Sequence, residues 1–169
     1  NLTRVSISDV HAEIKNNPVN GSLTLANLME DLHFKGNLTG KVNFDHLKDA
    51  IPMDSVLISG LMDVDLDVEG NMSAIENKTY ELLKTGGEVA LSNFSFESNQ
   101  LSKPVTISSG RLDFAPENVN LRQLDLKIGQ SDLALTGKVM DYYPYLFTGG
   151  NLSGNFTMTS DFLNLNELM

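Results

Sequence analysis

The stretch Val56-Leu57-Ile58-Ser59-Gly60-Leu61-Met62-Asp63-Val64-Asp65-Leu66-Asp67-Val68-Glu69 decides the fold. Val56, Ile58, Gly60, Met62, Val64, Leu66 and Val68 fall on one parity, while Ser59, Asp63, Asp65, Asp67 and Glu69 fall on the other. A helix would scatter both sets around its circumference. Only an extended strand separates them, with one face dry and one face wet.

The same period of two recurs outward from this stretch. Phe34, Gly36, Leu38, Gly40, Val42 and Phe44 alternate with polar residues, as do Leu124, Leu126 and Ile128, then Leu133, Leu135, Gly137 and Val139, then Leu152, Gly154, Phe156 and Met158. Weaker strand patterns cover Val5–Ile14, Ser22–Leu28, Glu88–Phe96 and Val105–Phe114. Three short helices are expected between strands. Ser73–Lys84 carries a Ser73/Glu76 capping box and a Gly86-Gly87 stop. Asp45–Ile51 has Asp45 as N-cap and Pro52 as its end. Asp141–Phe147 tolerates Pro144 because the first helical turn has no N–H bond to lose. The fold class is therefore mainly β: a curved, largely antiparallel sheet, a trough or partial roll, with a few short helices.

Leu38-Thr39-Gly40-Lys41-Val42 recurs letter for letter as Leu135-Thr136-Gly137-Lys138-Val139. Each copy precedes an expected helix and then a tripeptide, Ile58-Ser59-Gly60 or Leu152-Ser153-Gly154. The sequence thus suggests repeated strand–short helix–strand modules, over about 32–70 and 131–165, with Gly40 matching Gly137 and Gly60 matching Gly154. Glycines on an apolar strand face either let the sheet bend or fit a crowded core.

Composition narrows the function. The 169 residues fit one β-rich domain spanning 1–169, and 41% hydrophobic content supports a packed core. A net charge of −10 argues against nucleic-acid binding and against charge-driven docking on anionic membranes. Without cysteine there is no disulfide scaffold, thiolate metal site or thiol nucleophile. No apolar run is long enough to cross a bilayer as a helix. The opening at Asn1, within a strand pattern, suggests a piece of a longer protein, with any tether outside it.

No nucleophile elbow, P-loop, dinucleotide fingerprint or HExxH pair is present, so no catalytic residue, metal ligand or cofactor is expected. His11, His33 and His46 lie in unrelated segments and read as surface or structural. The acidic series Asp63, Asp65, Asp67, Glu69 fails the calcium-loop pattern, having Val68 and Ala74 where Gly and Glu are needed. Alternating carboxylates also suit a wet strand face that resists edge pairing. Eight Asn-x-Ser/Thr triplets, including those at Asn37 and Asn155, are read as turn and wet-face chemistry in preference to glycosylation.

The stretch Leu124–Met169, with Leu126-Lys127-Ile128-Gly129-Gln130-Ser131-Asp132-Leu133, Leu135-Thr136-Gly137, Tyr143-Pro144-Tyr145-Leu146-Phe147, Leu152-Ser153-Gly154 and Leu163-Asn164-Leu165-Asn166-Glu167-Leu168-Met169, resembles the C-terminal region of AsmA-like proteins. Pro104–Phe114 is similar to the strands preceding it in that family. The resemblance implies a periplasmic module of the Gram-negative envelope, active in outer-membrane biogenesis. It implies tethering to the inner membrane through a segment not present here, and grooved β-structure that conducts phospholipid. It carries no catalytic residues. Phospholipid is then the expected partner, with other envelope proteins beside it. The expected acyl-chain contacts are Phe34, Leu38, Val42, Ile58, Met62, Val64 and Leu66. The alternatives are a spacer module with a closed core, a secreted glycan- or calcium-binding β-module, and a glycosidase.

Overall fold

The computed structural model describes residues 3–13, 17–47, 56–99 and 101–167. Among the described residues nine strands form a single antiparallel meander in which each strand pairs with its sequence neighbours. They are β1 (Arg4–Glu13), β2 (Pro18–Ala26), β3 (His33–Asn43), β4 (Val56–Asn71), β5 (Lys84–Ser98), β6 (Val105–Phe114), β7 (Asn118–Ile128), β8 (Ser131–Met140) and β9 (Ser153–Thr159). The sheet is open, with β1 and β9 as its two edges among the described strands. Every strand expected from alternation is present. β4 follows its pattern residue by residue: Val64 is buried, Met62 and Leu66 are half-buried, and Asp63, Asp65 and Asp67 are exposed.

Bulges interrupt the ladders between Ile7 and Val10, Ser59 and Leu61, Ile107 and Ser109, and Leu121 and Leu124. Each sharpens the local bend and twist of its strand. At the second of these, Gly60 has φ +99. A Cβ there would also run into the Asn93 carbonyl on β5, so glycine is required on both counts.

Three short helices sit in the connections: α1 (Phe44–Leu47), α2 (Met72–Glu76) and α3 (Tyr142–Thr148). The helix expected over Ser73–Lys84 is cut short. It stops at Glu76, Lys78 takes a left-handed φ of 58, and a 3-10 turn over Tyr80–Leu82 leads into β5. Gly86 and Gly87, expected as its stop, lie inside β5. The Ser73/Glu76 capping box is also absent. Ser73 is the second helical residue, and its N–H (2.9 Å) and hydroxyl (2.7 Å) both donate to the Asp31 carboxylate from the β2–β3 connection. That carboxylate takes a third bond from Asn71 Nδ2 (2.7 Å). These donors hold the Asp31 carboxyl below the usual carboxylate range. At α1 the cap is Asn43, whose Oδ1 accepts the Asp45 N–H (3.0 Å), and not Asp45 itself. The rest of that expected helix, with Ile51 and Pro52, lies outside the described residues. α3 matches expectation and is entered and left through left-handed residues, Asp141 and Gly149.

The core lies at one end of the sheet, where α2 and α3 cross one face. Phe34, Ala74, Ile75, Leu83, Val119, Tyr142 and Tyr143 are its buried members, with Leu25, Val68, Leu112, Phe114 and Val139 packed against them. Aromatic rings knit α3 down: Phe34 with Phe147 at 6.0 Å, Phe114 with Tyr142 at 6.1 Å and Tyr80 with Tyr143 at 6.2 Å between centroids. Tyr142 OH donates to the Ala115 carbonyl (2.8 Å), and burial pushes its phenol pKa well up.

The repeated pentapeptides do not make superposable modules. Five antiparallel steps separate β3 from β8, so the two copies run in opposite directions. α1 accordingly leaves one end of the sheet and α3 the other. Because the apolar side of both copies faces the same way, the two strand–helix–strand units turn with opposite hands, and no rotation superposes them. Register agrees: Val42 pairs with Met62 but Val139 pairs with Gly154, so Gly60 and Gly154 are not equivalent. Their backbones also differ, since only Gly60 has a positive φ.

Candidate functional site

The ladders carry single rows of side chains across the whole sheet. Ala12, Val19, Gly40, Val64, Val89, Leu112, Leu121, Gly137 and Phe156 are successive partners through all nine strands. One residue along, the row is His11, Asn20, Thr39, Asp65, Glu88, Asp113, Asn120, Lys138 and Asn155. Successive side chains point to opposite faces, so one face is apolar over its full width and the other is polar over its full width. A further apolar row joins Val42, Met62, Leu91, Gly110, Leu124, Leu135 and Met158.

The polar face is held by cross-strand ion pairs. Lys41 meets Asp63 at 2.8 Å, and Glu69 is shared by Lys35 (3.0 Å) and Lys84 (3.2 Å). Hydrogen bonds and charge from these two lysines hold the Glu69 carboxyl low. Within the acidic series, then, Asp63 and Glu69 are matched by lysines on flanking strands. Among the described residues no group of three or more His, Asp or Glu side chains is placed to hold a metal. His11 Nδ1 donates to Asn20 Oδ1 (2.7 Å) and His33 Nδ1 to Asn71 Oδ1 (2.9 Å), in separate parts of the sheet.

The apolar face is covered unevenly. At the helical end, Phe34 is only 6% exposed beneath α3. Away from that end, Leu38 is 42% exposed and Met158 51% exposed on the same face. The seven residues expected to contact acyl chains therefore separate into two groups. Leu38, Val42, Met62 and Leu66 come together on β3 and β4 around Val64, itself only 4% exposed, through the pairs Leu38–Leu66, Gly40–Val64 and Val42–Met62. Ile58 continues this surface beyond the Gly60 bulge, opposite Phe96. Phe34 does not join them as an accessible contact, because α3 covers it. Leu91, Leu124, Leu135, Phe156 and Met158 extend the surface and were missing from that expectation. Their alternation is legible in sequence, but only strand order shows that β5 to β9 continue the face begun on β3 and β4.

The glycines on this face stand opposite larger apolar residues: Gly21 opposite Leu38, Gly87 opposite Leu66, Gly110 opposite Leu91 and Gly137 opposite Phe156. Small-against-large pairing lets neighbouring strands approach. At Gly137 a Cβ would collide with the Asn155 carbonyl and the Phe156 ring. The site is thus a broad apolar surface. No helix of the described residues is long and apolar enough to cross a membrane. Comparison with known proteins returns no matching protein-family model, curated protein or solved structure.

Proposed function

We propose that this chain is a non-enzymatic envelope-biogenesis module that holds or conducts phospholipid acyl chains along its apolar sheet face. The observation that carries this reading is the unbroken apolar row across nine strands, of which the helices cover only one end. An acyl chain has no polar groups to satisfy, so continuous apolar surface is the whole requirement for binding it. Each buried methylene contributes about 0.8 kcal/mol, so part of one chain already gives useful affinity. The bulges and the small-against-large glycine pairs supply the means to bend such a sheet into a trough. Met62, half-buried in the middle of the surface, adds a flexible thioether that adapts to variable ligands.

The resemblance of Leu124–Met169 to the C-terminal region of AsmA-like proteins points the same way. What that resemblance implies, and what we propose with it, is a periplasmic module tethered to the inner membrane. Its support is the sequence pattern, joined to an open apolar face of the kind such a role needs. A spacer with a closed core fits less well, because Leu38, Phe156 and Met158 remain open on the dry face.

The test is organic extraction of the purified protein with mass spectrometry of the extract, followed by titration of a fluorescent acyl-chain probe. Co-purifying phospholipid and saturable probe binding, lost in Met62→Glu, are expected. A folded protein that yields no lipid and binds no probe would refute the proposal.

A further inference from the structure

We infer that β9 is a self-pairing edge, through which two copies of this chain join their sheets about a two-fold axis into one continuous apolar surface. A sheet edge presents a row of unpaired N–H and C=O groups, and proteins that remain monomeric blunt such edges with charge, proline or a bulge. The two edges here differ sharply in this respect. β1 carries Arg4, His11 and Glu13 and is bulged between Ile7 and Val10. β9, Ser153-Gly154-Asn155-Phe156-Thr157-Met158-Thr159, contains no charge and no proline, and its ladder to β8 runs without a register shift.

Nothing in the described chain shields β9: all seven of its residues are exposed. The segment that follows continues in the same direction alongside the start of β8. There the Asp132 carboxylate accepts the N–H groups of Asp161 (3.1 Å) and Phe162 (2.8 Å), and Ser131 Oγ accepts that of Asn164 (2.9 Å). Among the described residues, that course leaves the outer side of β9 open.

A second copy is the occupant that this strand fits. Antiparallel pairing of β9 with itself, centred on Phe156, sets Gly154 opposite Met158 of the second copy and Asn155 opposite its Thr157. The first pair repeats the small-against-large rule seen inside the sheet, and the second keeps polar against polar. A two-fold axis normal to the sheet leaves both apolar faces on the same side. Phe156 and Met158, half-exposed at the rim of one copy, then lie in the middle of a doubled surface. Because the strand is uncharged, no like charges meet at the axis, whereas each chain as a whole carries −10. Salt should therefore strengthen the pair by screening the repulsion between chains. This pairing is independent of whether the face holds lipid.

The chain contains no cysteine, so single cysteines report the geometry cleanly. Residues opposed across an antiparallel pair lie about 4.5 to 5.5 Å apart at Cα, within disulfide reach. Under mild oxidation Phe156→Cys should form a disulfide-linked dimer, while Ile7→Cys on β1 should not. Sedimentation velocity of the parent protein should show a dimer that tightens with salt and dissociates on about a hundredfold dilution. Phe156→Lys should be monomeric with an unchanged circular dichroism spectrum, since the position is already exposed. A parent protein that stays monomeric at high concentration and high salt would overturn the inference. So would a dimer indifferent to Phe156→Lys, which would place the contact elsewhere.

Discussion

Ile75→Ala and Leu38→Ala delete the same number of carbons from side chains on opposite sides of the boundary between covered and open surface. Ile75, on α2, is 2% exposed and belongs to the cluster beneath the helices. Its truncation loses the full transfer free energy and leaves an enclosed hole, which together amount to about 3 to 4 kcal/mol. Leu38 sits on the same sheet face but on its uncovered part, and its side chain already meets solvent in the native state. Truncation there loses only part of the transfer term, and water fills the space, so about 1 kcal/mol is expected. Urea unfolding of delipidated protein, followed by circular dichroism with a shared m-value, measures both. Equal losses would mean that the middle of the face is covered in solution as thoroughly as its end. The open-surface reading, and the lipid proposal built on it, would then fail.

Val64→Asp places a carboxylate at a buried position between Gly40 and Val89 and should destabilise by several kcal/mol, whereas Asp65→Val on the polar face should stay within about 0.5 kcal/mol. Similar values in the same unfolding assay would abolish the distinction between faces. Gly60→Ala forces a side chain onto a backbone at φ +99 and against the Asn93 carbonyl, and should cost at least about 1 to 3 kcal/mol, while Gly86→Ala, at an open site, should not. Asp31 has a folded-state pKa below its unfolded value, so its contribution is present at neutral pH and is lost as pH falls through the folded pKa. Asp31→Asn should therefore lower stability at pH 7 and flatten the acid limb of a stability–pH profile; an unchanged acid limb would show that the carboxylate does not hold α2.

Period-two alternation alone determined that residues such as Val56 to Glu69 form strands, and which of their side chains are dry. That signal is local: the pleat converts sequence parity directly into face. The short aromatic helix at Tyr142–Thr148 was legible for the same reason, since its proline tolerance depends only on its own first turn. What failed depended on distant partners. The Ser73/Glu76 box was overridden by Asp31, a carboxylate some forty residues away in sequence, which no local pattern contains. The Leu38–Val42 and Leu135–Val139 match looked like duplication, because composition carries no direction. Only strand order shows that the copies point opposite ways in the meander. The extent of the apolar surface was likewise beyond reach. Each strand announces its own dry face, but the hydrogen-bond register joins nine such faces into one surface, and the docking of α2 and α3 decides how much of it is closed.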